Sequence, residues 1–289
     1  MKTRPIFFTL LFVLAAGANL FSQNQRFQIS LAEWSLNRSI GKGTITNLDF
    51  PRITKTVYGL DAVEYVSTLF RGKGEDIGYL TALKDSCTKY GVKSLLIMVD
   101  AEGSLADTSL AARTKAVENH YKWVKAAKFL GCHSIRVNAA GRGTMGQMQA
   151  AAIDALSRLS DYAAGYGINV VVENHGGNSS IAKWLVEIMK TVNKPNCGTL
   201  PDLGNFYEYD RYRGVTEMMP FAKGVSGKTV AFDADGNETR VDYVKMMKII
   251  SDSKYSGYID VEYEGKLTED EGIKASIALL RKVIAPYNN

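Results

Sequence analysis

Three carboxylates in this chain each close a short apolar run. Glu173 follows Ile168-Asn169-Val170-Val171-Val172, Asp202 follows Gly198-Thr199-Leu200-Pro201, and Glu262 follows Tyr258-Ile259-Asp260-Val261. Such a residue emerges from a buried segment into a confined space, where a charge is costly unless it is paired or bound to a metal. Three hard oxygen donors suit Mg, Mn or a similar divalent ion. The plainer alternative for each is an ion pair with Arg136 or Lys228. Other polar residues stand at the ends of comparable runs: Glu33, Trp34, Glu64, Asp100, Arg136, Asn138, Asn174, His175, Asn205, Ser226, Lys228 and Glu264. Among these, Trp34, Glu64, Arg136, Asn138 and Asn205 are candidates to touch a substrate, with Trp34 either an apolar wall of the site or a packing residue. His175 lies two positions past Glu173 and on an extended chain faces the same way. Of the other two histidines, His120 falls on a helical stretch and His133 just before a strand, at the opposite rim. His175 is therefore the histidine placed for the site, as a neighbour of the metal or as a general base.

The elements that must position these residues alternate regularly. β-Branched runs occur at 28–36, 62–67, 93–99, 134–138, 168–174, 198–202, 223–229 and 258–263. Helical spacing is clear over 76–90, 109–130, 145–166, 181–191, 241–253 and 268–284, and weaker near 49–58 and 216–219. Tyr90-Gly91, Leu130-Gly131 and Tyr166-Gly167 are helix stop signals ahead of a strand. Strand–helix alternation implies a parallel sheet, and eight repeats favour closure into a single (β/α)8 TIM barrel. No GxGxxG follows the first strand, which argues against an open dinucleotide-binding sheet. In such barrels the site lies at the C-terminal ends of the strands, where the polar residues above collect.

Four stretches carry a resemblance to a known family. Val172-Glu173-Asn174-His175-Gly176-Gly177, Leu200-Pro201-Asp202-Leu203-Gly204-Asn205-Phe206, Gly257 to Gly265, and Trp123 through Asn138 resemble the xylose isomerase-like TIM-barrel superfamily, specifically its sugar phosphate isomerase/epimerase group. The resemblance implies a divalent ion held by Glu, Asp, His and Glu on strands five to eight. Glu173, Asp202 and Glu262 match three of those positions. The strand-seven histidine has no counterpart, because the register places Ser226 there, and serine is a poor ligand.

The resemblance implies a carbohydrate substrate and proton abstraction beside a carbonyl or hydroxyl, through an enediolate. Glu173 or Glu262 would take the proton, and Lys228 would steady the negative oxygen. Return to the other face of the same carbon is epimerisation; return to the neighbouring carbon is isomerisation. A lyase, dehydratase or hydrolase of keto-sugars or 3-keto-glycosides using the same enolate is the rival reading, and a non-catalytic sugar-binding barrel is a third. Asp233, Asp235 and Glu238 in the loop after strand seven predict a substrate without a phosphate, which such loops otherwise bind.

The chain has 289 residues, 46% hydrophobic and 22% charged, with six prolines too scattered to mark a linker. Lys2 and Arg4, an apolar run from Ile6 to Ala18 and a polar exit to Ser22 predict a secretory signal peptide over 1–22. The barrel then occupies 23–289, exported to the periplasm or secreted. The apolar run is shorter than the about 20 residues a membrane span needs, so no stable membrane anchor is expected. Without Lys2 and Arg4 the chain carries 33 basic and 30 acidic residues, too even a balance to suggest nucleic acid. Three cysteines without metal spacing predict buried free thiols.

Overall fold

A computed structural model describes residues 25–288; the signal peptide expected over 1–22 lies outside them. Eight parallel strands follow the order β6-β5-β4-β3-β2-β1-β8-β7. They are β1 Phe27–Ala32, β2 Ala62–Val66, β3 Lys93–Met98, β4 Ser134–Val137, β5 Asn169–Glu173, β6 Cys197–Leu200, β7 Val225–Thr229 and β8 Gly257–Tyr263. The seam between β6 and β7 is closed by backbone bonds from Lys223 N to Thr199 O (3.0 Å), Ser226 N to Pro201 O (2.9 Å) and Leu203 N to Ser226 O (3.0 Å). The chain is thus a single (β/α)8 barrel. Its principal helices are α1 Phe50–Thr56, α2 Ile77–Tyr90, α3 Leu110–Leu130, α4 Met145–Ala164, α5 Ala182–Val192, α6 Arg211–Met218, α7 Tyr243–Asp252 and α8 Glu269–Ile284. Helices α2 and α3 end on Gly91 (φ 65°) and Gly131 (φ 83°), left-handed caps that turn the chain back toward the next strand.

The first strand is shorter than its residue pattern suggests. It stops at Ala32, and Glu33–Leu36 wind into a 3-10 turn. The polar side chains explain the stop: Glu33 accepts the Val66 N–H at 3.0 Å, and Ser35 bridges the Val261 carbonyl and the Tyr263 N–H. These bonds fold the mouth of β1 over β2 and β8.

The main core lies between sheet and helices. Inside the barrel, Ala32, Val66, Leu96, Met98, Val171 and Leu200 form a separate apolar cluster, with Trp34 and Leu69 packed on it. The rest of the interior is polar, carried by Ser30, Glu64, Ser226, Asp260 and Glu262, all buried. Cys87, Cys132 and Cys197 are free and buried. Among the described residues no helix is long and apolar enough to cross a membrane.

Gly227 sets the spacing of β7 and β8. A Cβ there would lie 2.4 Å from the Asp260 carbonyl, a backbone atom with little room to give. Gly227→Ala should cost about 1–3 kcal/mol through overpacking, read as a lower denaturation midpoint at unchanged slope.

Candidate active site

Glu173, at the end of β5, Asp202, two residues past β6, and Glu262, in β8, converge at the C-terminal mouth. One oxygen from each lies within 4.8 Å of the others, and the three residues are 1%, 0% and 4% exposed. Each is held. Glu173 Oε2 lies 2.8 Å from Arg136 Nε, an ion pair in which the N–H points off the contact axis. Asn205 Nδ2 donates to Glu173 Oε1 at 3.1 Å and to Asp202 Oδ2 at 2.9 Å. Asp202 Oδ1 also accepts the N–H groups of Gly204 and Asn205, at 2.6 and 2.8 Å. Glu262 Oε2 accepts from Ser226 Oγ at 3.0 Å.

Two cations face these acids. Arg136 pairs with Glu173 and with Asp100, the latter at 2.7 Å, and Asn138 donates to the same Asp100 oxygen at 2.7 Å. Lys228 Nζ lies 3.3 Å from Asp202, 3.5 Å from Glu264 and 3.7 Å from Glu262. Burial pulls the Lys228 pKa down, but Asp202, Glu262, Glu173 and Glu264 outweigh it and hold the ammonium above its ordinary value. Asp202 is pushed up to about 8, chiefly by burial and further by Glu173 and Glu262, with Lys228 pulling the other way. Burial likewise raises Glu173 against the pull of Arg136. Glu173, Asp100, Asp202, Glu262 and Glu264 set five carboxyl groups against two fixed cations, an acid excess that a divalent ion would reduce. The donors are all oxygens, and their spacing is on the order of two Mg–oxygen bonds of about 2.1 Å, so the site fits a hard divalent ion.

The remaining candidates separate by position. His175 stands exposed at the rim, with its backbone N–H held by Ser179 Oγ at 2.9 Å and no hydrogen bond to its ring among the described residues. Loss of water around the ring, and the charges of Arg136 and Lys228, lower its pKa. His120 is buried in α3 and His133 precedes β4 at the far end, so neither reaches the mouth. Asn205 lies within the acid centre, binding two of its carboxylates. Asn138 is tied to Asp100. Trp34 packs over the apolar half of the interior.

Glu64 does not reach the strand end expected of it. It lies mid-strand in β2, buried in the barrel, where Ser30 Oγ donates to it at 2.7 Å. Burial pushes it up to about 7, with bonds to Ser30 and Asp260 partly offsetting this. Asp260 is raised as well, by burial and then by Glu64 and Glu262. Ser226 Oγ contacts Asp260 Oδ1 at 3.1 Å as well as Glu262, so Ser226 links these deeper acids to the centre. Its place within an apolar run does not mark Asp260 as a site residue, although Ile259-Asp260-Val261-Glu262 alternates and places both acids on one face.

Glu33 is a third unusual acid. It is fully buried, its Oε1 has no partner among the described residues, and burial pushes its pKa up to about 8 against the Val66 N–H. A raised carboxyl favours the fold while protonated. Its contribution is full below the unfolded value near 4.5 and is lost as pH rises toward 8. Glu33→Gln should therefore flatten the fall in stability between pH 5 and 9 and be the more stable protein at pH 9. Parallel denaturation curves for both proteins across that range would contradict this.

Fold and site together describe a (β/α)8 barrel with an acidic centre at its C-terminal mouth that is able to hold a divalent ion. Residues 55–283 match the xylose isomerase-like TIM barrel family, and the chain belongs to it. No curated protein matches the chain. Among solved structures it is similar to the IolI protein with a bound zinc atom (16% identity, 90% of this chain and 99% of that one, TM-score 0.72). It is also similar to the 3-keto-D-glucoside 4-epimerase of E. coli (14%, 89% and 99%, 0.69) and to a D-psicose 3-epimerase solved with D-fructose (14%, 89% and 99%, 0.66). At these identities the likeness is one of fold.

Proposed function

We propose that the chain is a divalent-metal-dependent sugar isomerase or epimerase. The observation that carries this is the buried Glu173–Asp202–Glu262 cluster with its ligand oxygens within 4.8 Å. A bound ion would supply Lewis acidity to a substrate carbonyl or hydroxyl. The chain's own residues do the rest. Glu173 and Glu262, on β5 and β8, flank the place for the reacting carbon, and one takes the proton on a carboxylate oxygen. Asn205 fixes the orientation of Glu173 and Asp202, and Ser226 that of Glu262. The Lys228 ammonium offers a fixed positive charge for a developing oxyanion. His175, exposed and unengaged at the rim, moves a proton between solvent and substrate oxygen.

The same observation about His175 supports a second reading, loss of a leaving group from the β-carbon of a keto-glycoside, with His175 protonating the departing oxygen. Family relationship and fold likeness to epimerases favour the first.

The loop after β7 supports a substrate without a phosphate. The Glu238 carboxylate accepts the N–H groups of Val230, Ala231, Arg240 and Val241, at 3.3, 3.4, 2.5 and 2.5 Å. The backbone donors that a phosphate would need just ahead of α7 already serve an internal anion. Export, expected from residues 1–22, agrees with this.

Protein purified without chelator should carry close to one divalent ion per chain, and Glu173→Gln and Asp202→Asn should lose most of it. The loaded protein, incubated in heavy water with free and phosphorylated sugars and 3-keto-glycosides, should place deuterium beside a carbonyl. An intact epimer or isomer supports the first reading; a product lacking its leaving group supports the second. Equal metal in all three proteins, with no metal-dependent exchange, would sink both.

A further inference from the structure

We infer that the barrel mouth has a second subsite, between the loops after β5 and β6, that takes a neutral sugar ring joined to the reacting one. The inference rests on the proposed function and narrows it: the substrate is a glycoside with at least two rings. A cavity of about 500 Å3 opens there, within the range of small-molecule sites. Gly177, Asn178 and Ile181 line one side, and Tyr207, Glu208 and Tyr209 the other.

The wall of the cavity is bonded to the acid centre through one residue. Asn205 binds Glu173 and Asp202 with its side chain, and its carbonyl accepts a 2.6 Å bond from Ser180 Oγ, on the cavity wall. The wall is built rather than loose. Ser179 and Ser180, both buried, take the N–H groups of His175 and Gly176 at 2.9 Å, and Ser179 also donates to the Gly176 carbonyl. Gly176 and Gly177 hold φ of 92° and 56°, and a Cβ on either would meet nothing within 4 Å.

The two tyrosines differ in a way that points to a ligand. Tyr209 is tied down, its hydroxyl donating to Glu217 at 2.6 Å and its ring beside Phe206. Tyr207 is 70% exposed, and among the described residues its side chain has neither a hydrogen-bond partner nor a ring partner. An exposed aromatic ring beside an amide and a carboxylate is suited to a sugar: the ring covers a C–H face while Asn178 and Glu208 reach hydroxyls. The lining holds one carboxylate and no cation, which disfavours a phosphate or other anion as occupant.

The test uses the full chain with Tyr207→Trp as a fluorescent reporter, Tyr207→Ala and Asn178→Ala as losses, and glucose, maltose, cellobiose and lactose as probes. A disaccharide should change the reporter's emission and bind the wild type more tightly than glucose. Either loss variant should weaken disaccharide binding about three- to ten-fold, the range of one aromatic contact for Tyr207 or one neutral hydrogen bond for Asn178, and leave glucose unchanged. Equal affinity for one ring and two, no binding of any disaccharide, or equal weakening of both classes would overturn the subsite. The two readings fail separately. Metal-dependent exchange without disaccharide preference removes only the subsite; disaccharide preference without such exchange removes only the enzyme.

Discussion

His175→Ala should keep its metal and lose about 10²–10⁴-fold in turnover, the range of a general acid–base group. The three acids that fit the ion are buried and bonded to one another through Asn205 and Lys228, without His175. The ring stands instead at the rim, where loss of water around it and then the charges of Arg136 and Lys228 lower its pKa. An imidazole at an exposed rim can accept and return a proton, and the Ser179 bond to its backbone N–H holds the residue at the mouth. Metal analysis and turnover on the same preparation separate the roles. Metal lost, with turnover restored in metal-saturated buffer, would make His175 a ligand instead.

Much of this architecture is legible in the residues themselves. Val170-Val171-Val172 and Leu95-Leu96-Ile97 are β-branched or apolar runs with helical spacing on both sides, and a parallel barrel follows from their repetition. The acids of the centre are legible because each ends such a run. What the pattern does not carry is who meets whom across the barrel. Glu64 lies in a run that reads to Ser67, so counting places it near the mouth. Glu64 is instead the middle residue of β2, and its side chain turns into the barrel to accept from Ser30, two residues before the end of β1. The shortening of β1 at Ala32 depends on bonds from Glu33 to β2 and from Ser35 to β8, contacts across 33 and more than 200 positions. Tyr207 gives no periodic signal at all, because its significance lies in being exposed on a loop.

The last prediction concerns the cation already inside the centre. Lys228 is 5% exposed and lies within 3.7 Å of Asp202, Glu262 and Glu264, with Asn205 Oδ1 at 3.4 Å. Lys228→Met nearly preserves volume, so its main effect is to leave buried carboxylates facing one another with a single cation, Arg136. Removing one partner of a buried pair costs about 3–5 kcal/mol. In chelator this should lower Tm by about 6–20 °C relative to wild type, at about 2–4 °C for each kcal/mol in a domain of this size. A divalent ion held by Glu173, Asp202 and Glu262 neutralises the same oxygens, so saturating Mg or Mn should recover a large part of the loss. Wild type, with Lys228 already in place, should gain less from the ion. The comparison therefore reads the charge balance of the centre without any substrate. An equal Tm deficit with and without the ion would mean that Lys228 acts by packing alone, and that the three carboxylates do not share an ion.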